Sequence, residues 1–360
     1  MIDKLLKPIK LGELNLANRI FMAPMTRART NPGGIPSKIM AQYYAQRASA
    51  GLIISEASEV SLAAKGYSGS PGIYNTPQMQ GWQQVTQAVS AQNGNIFCQL
   101  WHVGRMANSI LHAGRAPLAP SPIQAQASVW VANENYQGML ACDLPKAMTH
   151  NEILQTIDDY IQAAKNAIAC GFAGVEIHAA NGYLPDQFMR TCSNLRNDQW
   201  GKNLEGRLAF IKDIVRGISQ AIGASRCAIR LSPFITHRSM VCSEILATTY
   251  ALVAWLDEHQ LAYLHFAEAD WEDTPLVPIE FRQKIRKLFP GIIVVAGNLD
   301  AQKGERLIKQ GYADAIAFGR NYIANPNLVE KIKYGLALNP LNNATIMGSG
   351  AQGYTDYPTS

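Results

Sequence analysis

The sequence predicts a single (β/α)8 TIM barrel of the α/β class. Three observations carry this: eight short apolar runs spread over 360 residues, amphipathic helical patterns between several of them, and a weak internal repeat. In the repeat a helical pattern ends in Gly plus an aromatic and passes straight into a strand. It reads Ile-Ala-Cys-Gly-Phe-Ala-Gly-Val-Glu-Ile at 168–177 and Ile-Lys-Gln-Gly-Tyr-Ala-Asp-Ala-Ile at 308–316. Gly171 and Gly311 would each supply the left-handed residue that stops a helix, after which the strand must return across the core. Units of that kind build parallel sheets.

Taken in order, residues 7–18 alternate polar and apolar around Gly12-Glu13 and predict a β-hairpin that plugs one barrel end. Strands one, two and three are expected at 19–23, 52–55 and 96–101. The interval up to strand four is far longer than one crossover helix needs, and 115–145 within it is rich in Pro, Ala, Gln and Asn. Residues 102–150 are therefore read as a capping excursion over the barrel top, where long loops usually carry function. A helix at 151–170 follows, with Ile153, Leu154, Ile157, Tyr160, Ile161 and Ile168 on one face. Strand four is expected at 175–178, a helix carrying Leu208, Ile211, Ile214, Val215 and Ile218 at 207–222, and strands five to eight at 227–231, 263–266, 292–296 and 315–318. The whole of 1–360 reads as one domain.

With 48% apolar and 16% charged residues the chain buries a sizeable core, which excludes disorder. Its 32 basic and 27 acidic residues give +5, spread evenly, so no nucleic-acid footprint is expected. The densest basic stretch, 282–287, reads as a solvated helix face. The first residues meet Pro8 without an apolar run, and no segment approaches the ~18 apolar residues of a membrane span, so a cytoplasmic protein is expected. Six cysteines lie far apart without CxxC, zinc or iron–sulfur spacing, predicting reduced thiols and no metal; Cys98 and Cys170 read as core residues.

Barrel active sites form where strands end at the C-terminal face. The expected ends here are polar: Met22-Ala-Pro-Met-Thr26, Ser55-Glu-Ala57, Gln99-Leu-Trp101-His102, His178-Ala-Ala-Asn181-Gly-Tyr183, Arg230, Ala296-Gly297-Asn298 and Phe318-Gly319-Arg320. Gly297 and Gly319-Arg320 follow strands seven and eight, where barrel enzymes commonly bind a phosphate. His178, Asn181 and Tyr183 place an imidazole, a carboxamide and a phenol within six residues. The first two could hold and polarise a carbonyl oxygen, and the phenol could deliver a proton to a developing carbanion. His102 and His112 read as structural, and Glu176 as a buried, hydrogen-bonded acid. The GxGxxG at 348–353 has no strand before it and no βαβ unit after it, which rejects a Rossmann reading. No Lys falls at a strand end, which weakens a Schiff-base aldolase.

Ala23-Pro24-Met25-Thr26, Gln99-Leu-Trp-His-Val-Gly-Arg105, His178-Ala-Ala-Asn181-Gly-Tyr183-Leu-Pro-Asp-Gln187-Phe188, Ala296-Gly297 and Ala317-Phe-Gly-Arg320 resemble the Old Yellow Enzyme family of flavin-dependent ene-reductases. The resemblance is nearest to its N-ethylmaleimide reductase-like branch and extends to the Gly353-Tyr354-Thr-Asp-Tyr-Pro358 tail. It implies a noncovalent FMN at the barrel top, reduced by NADPH or NADH. It also implies an oxidoreductase that saturates the C=C bond of α,β-unsaturated carbonyl, maleimide or nitro compounds. By the same resemblance Ala23, Pro24, Thr26, Ala57, Gln99 and Arg230 contact the isoalloxazine, and Gly297, Asn298, Gly319 and Arg320 hold the phosphate. His178 and Asn181 bind the substrate oxygen, Tyr183 gives the proton, and Tyr67, Trp101 and Tyr354 shape the pocket. The chain departs from the family pattern at 197–207, where Lys202 replaces a glycine. The residues alone leave two rivals: a phosphate-binding barrel isomerase or lyase, and a flavin-binding redox sensor with little turnover.

Overall fold

The computed structural model describes residues 2–133 and 136–359. Its centre is a closed barrel of parallel strands: Ile20–Met22, Leu52–Ile54, Ile96–Trp101, Gly174–Ala179, Cys227–Leu231, Tyr263–Ala267, Ile293–Ala296 and Ala315–Phe318. Each pairs with the next in chain order, and the eighth returns to the first through Ala317 opposite Phe21. These are strands one to eight below. The two glycines of the repeat do what their sequence implies, Gly171 at φ 90° and Gly311 at φ 76°, one residue beyond the C-caps of helices His150–Ala169 and Ala301–Lys309.

Alternation divides each strand between two environments. One parity, including Ile20, Ile53, Cys98, Val175, Ile177, Ile229, Leu264, Val295 and Ile316, packs outward with helix residues such as Ile157, Ile211 and Leu252. The other parity turns inward, where Phe21, Leu52, Ile54, Phe97, Ala228, Tyr263, Val294 and Ala315 cluster with Leu11 and Leu16 of the hairpin. That hairpin pairs Ile9–Leu11 with Leu14–Leu16, so it closes the floor with its own apolar face. Helix starts follow their capping signals. Thr149 and Glu152 form a reciprocal capping box, and Asn203 accepts from the amide of Gly206 at 2.9 Å to open Leu204–Ile222.

Two surface readings need amendment. The basic stretch on helix Ile279–Leu288 is not simply solvated, because Arg282 pairs with Glu268, and Arg286 meets Asp314 at 2.6 Å. The capping excursion contains more than loop: Ser128–Ala132 and Gln137–Ala141 pair antiparallel, and Val129 and Val131 pack on Trp101, Val103 and Tyr183. Among the described residues no helix is long and apolar enough to cross a membrane.

Candidate active site

Above the apolar floor the inward parity becomes polar. Gln99 and Glu176 are register partners on strands three and four, His178 and Arg230 on four and five, Arg230 and His265 on five and six. Glu176 is fully buried; it accepts from Gln99 Nε2 at 2.8 Å, and its other oxygen lies 2.7 Å from His265 Nδ1. Burial opposes its charge, but His265, Arg230 and Gln99 outweigh that and hold the carboxyl below its ordinary range. Burial holds His265 below its ordinary value, and an ionised Glu176 can only accept, so His265 Nδ1–H is the donor of the pair. Glu176 is thus a paired structural acid supporting the layer above it.

That layer opens into a cavity of about 620 Å³ lined by Thr26, Ala57, Tyr67, Gln99, Trp101, His178, Asn181, Tyr183 and Arg230. The hairpin of the excursion supplies Trp130 and Met139, and the C-terminal segment Ile346 and Met347. A smaller pocket of about 170 Å³ adjoins it, sharing Pro24, Met25, Asn181 and Arg230, and reaches Gly297, Asn298, Gly319 and Arg320 after strands seven and eight. Of the residues expected in the site, all but one therefore come together here. Tyr354 does not: it is fully buried, stacked on Tyr43 at 4.0 Å between centroids, with the Arg29 guanidinium 4.4 Å from its ring. Its neighbours take its place in the wall, because Arg27 donates to the Ile346 carbonyl at 2.7 Å and Arg29 to that of Thr345 at 2.8 Å.

Five buried polar atoms in this wall lack a hydrogen-bond partner: Trp101 Nε1, His178 Nδ1, Asn181 Oδ1, Arg230 Nε and Asp270 Oδ2. Leaving such groups unpaired costs roughly 1–3 kcal/mol each, so their convergence on one cavity marks a place for a ligand. Burial, reinforced by Arg230, Arg238 and His265, holds His178 well below the usual imidazole range, so it is a neutral hydrogen-bonding group at neutral pH. Asn181 adopts φ 56°, and its amide donates to Ser232 Oγ at 2.6 Å, which fixes where the carboxamide starts. Tyr183 packs edge-on against Trp101 and His178, with its hydroxyl 3.1 Å from that of Tyr67.

The smaller pocket passes a separate test for a phosphate-bearing group. A Cβ at Gly319 would meet nothing nearer than Met25 Sδ at 3.4 Å. Protein packing therefore does not demand the glycine, and the missing side chain leaves room. Arg320 is exposed at the rim, 4.6 Å from the Trp271 ring. His102 behaves as a structural histidine: it is fully buried, pushed down to about 3 by burial, and accepts from the Gly104 amide at 3.1 Å. Among the described residues no three His, Cys, Asp or Glu converge as metal ligands. Lys202 is exposed with an ordinary backbone, and nothing from 197–207 reaches the cavity.

The model of the NADH:flavin oxidoreductase / NADH oxidase family matches residues 4–339. The chain belongs to this family. It is an oxidoreductase, and a flavin is its redox group. 12-Oxophytodienoate reductase 1 of Oryza sativa subsp. japonica is 37% identical over 365 residues, which cover 98% of this chain and 92% of that protein. The solved structure of morphinone reductase superposes with a TM-score of 0.96 at 42% identity, covering 99% of this chain and 96% of the other. An old yellow enzyme homologue from Zymomonas mobilis gives 0.93 at 38% identity, with 99% of both chains covered. The family resemblance read from the strand-end motifs, the barrel and the oxidoreductase class are thereby shown.

Residues that the sequence reading missed include Trp130 and Met139, Ile346 and Met347, Asp270 to Glu272, and Arg238. Trp130 carried a signal in the period-two run Ser-Val-Trp-Val-Ala at 128–132. Arg238 carried none that points to a site.

Proposed function

We propose that this flavin oxidoreductase reduces the C=C bond of α,β-unsaturated aldehydes, ketones, maleimides or nitro compounds. In this reading His178 and Asn181 hold the activating oxygen and Tyr183 supplies the proton. The observation that carries it is the convergence of unpartnered His178, Asn181 and Arg230 atoms with the Tyr183 phenol around one 620 Å³ cavity.

Ala23, Pro24, Thr26, Ala57, Gln99 and Arg230 would line the flat body of FMN, and Gly297, Asn298, Gly319 and Arg320 its phosphate. Bound there, FMN would supply the redox chemistry, carrying a hydride equivalent from NADH or NADPH to the β-carbon. The chain's own residues do the rest. Arg230 brings a buried cation beside the body of the group, where negative charge accumulates on reduction. His178 and Asn181 grip the carbonyl or nitro oxygen and draw electron density from the alkene, so the α-carbon becomes basic. Tyr183, a buried residue, then gives that carbon its hydroxyl proton. Trp101, Tyr67 and Trp130 would flank the substrate and fix its plane. The reading takes 1–360 as one working domain whose excursion 102–150 walls the cavity. Six free thiols support a reducing, cytoplasmic setting.

Purified protein should be yellow and release FMN, not FAD, on heating. Anaerobic NADH or NADPH should bleach it and an enone restore the colour. Release of FAD, or a colourless protein that FMN does not reconstitute, overturns the reading.

A further inference from the structure

Arg238 lies in the wall of the same cavity and belongs to none of the roles above. It comes from the loop after strand five, where Arg238 and Ser239 adopt φ of 65° and 59°, a conformation that side-chain-bearing residues rarely take. That turn brings the guanidinium 5.2 Å from the centroid of the Tyr183 ring. Its Nη1 donates to the Asn181 carbonyl at 2.8 Å and its Nη2 to Glu272 at 2.9 Å. Glu272 also faces His237 at 3.3 Å. The side chain is only 12% exposed, and although burial opposes its charge, Tyr183, Tyr67 and Glu272 more than offset this and keep it protonated.

A cation over a neutral phenol gains little, roughly 0.5–2 kcal/mol. Once the phenol has given up its proton, the same cation faces a full negative charge a few ångströms away, both residues being largely buried, and the attraction grows severalfold. An interaction that strengthens as the reaction proceeds accelerates it. The two other bonds of Arg238 fit this placement: Glu272 holds the guanidinium from outside, and the Asn181 carbonyl ties it to the segment that also carries Tyr183.

We propose that Arg238 is a positioning residue for the proton step, stabilising the charge left on Tyr183 Oη as the proton departs. The inference rests on Tyr183 as donor. In that step the Tyr183 O–H bond breaks, a C–H bond forms at the substrate α-carbon, and the electron pair stays on the phenolate oxygen. Nothing is oxidised or reduced, and a proton from water restores the phenol afterwards.

The test compares holoenzymes carrying Tyr183→Phe, Arg238→Met, Arg238→Lys and the Tyr183→Phe/Arg238→Met pair, following the nicotinamide and 2-cyclohexenone half-reactions separately. Arg238→Met should slow the enone half-reaction about 10- to 100-fold and leave the nicotinamide half-reaction within about twofold, and Arg238→Lys should restore most of the loss. With Tyr183→Phe already present, Arg238→Met should add less than about twofold. An equal loss in both half-reactions, or the same loss in both backgrounds, overturns the inference while leaving Tyr183 as donor. If Tyr183→Phe alone leaves the enone half-reaction unchanged, the assignment of the donor falls and the inference with it. Equilibrium dialysis gives a readout without turnover: Arg238→Met should weaken 4-nitrophenolate about 3- to 30-fold and leave neutral 4-nitroanisole within about twofold. Equal weakening of both probes would make Arg238 a packing residue.

Discussion

At the floor of the barrel the hairpin turns Leu11 and Leu16 onto Phe21, Leu52, Phe97, Tyr263 and Val294, whereas at the mouth the same inward parity carries Gln99, Glu176, His178 and Arg230. The strands are continuous between the two ends, and only the residue types change. Apolar closure below and outside fixes eight strand ends in space. The mouth can then present polar atoms that the protein itself does not satisfy, at a cost the core offsets. Activity and stability should accordingly separate along the barrel axis.

The largest separation is expected from His178→Ala combined with Asn181→Ala. Losing two charge-assisted hydrogen bonds to a phenolate, each worth roughly 1.5–3 kcal/mol, should weaken phenol binding by about 10²- to 10⁴-fold, read from its long-wavelength band with the flavin. Thermal stability should fall only modestly, since Nδ1 of His178 and Oδ1 of Asn181 have no partners to lose and what remains is the ring packing at 178 and the left-handed backbone at 181. Phenol bound as tightly as by the parent would place the clamp elsewhere.

The converse change is Leu16→Ala. Leu16 is fully buried against the inner face of the barrel, and its truncation should cost about 2–5 kcal/mol in denaturant unfolding. Turnover per folded molecule should stay within about twofold, because the floor touches none of the cavity. A large fall in kcat with modest loss of stability would show that the two ends are mechanically coupled.

The strands were legible because each is a short apolar run between turn signals: 96–101, 227–231 and 315–318 agree residue for residue with the structure, and the helix expected at 151–170 is found at His150–Ala169. The strand-end chemistry was legible through parity and position on the barrel. The excursion was legible only in part: Ser128–Ala132 alternates through Val-Trp-Val, but its partner Gln137–Ala141 holds no β-branched or aromatic residue to mark it as a strand. Tyr354 was misplaced because a shared tail motif says nothing of Tyr43 and Arg29, which capture its ring. Arg238 lies seven residues beyond Leu231, and only a left-handed turn returns it to the cavity. Such a turn without glycine leaves no mark in the composition.

The smallest effect belongs to the floor and carries a sign that pH can test. Glu305, 3% exposed on helix Ala301–Lys309, accepts from the amides of Asp3, Lys4 and Leu5 at 3.1, 2.9 and 3.0 Å, and its carboxylate lies 3.1 Å from Lys309 Nζ. Burial opposes the charge, but those amides and the ammonium outweigh it and push the carboxyl down to about 2 from an ordinary 4.5. A carboxyl held lower in the folded chain than in the unfolded one stabilises fully above the unfolded value, and the contribution is lost as pH falls from 4.5 towards 2. Glu305→Gln should therefore cost about 1–3 kcal/mol at pH 7, and the gap to the parent should narrow steadily in urea unfolding carried out below the ordinary carboxylate value. A gap that stays constant down to the acid limit would mean that shape, not charge, anchors the N-terminal turn. Turnover at neutral pH should be unmoved, since Glu305 grips the end of the barrel opposite the mouth.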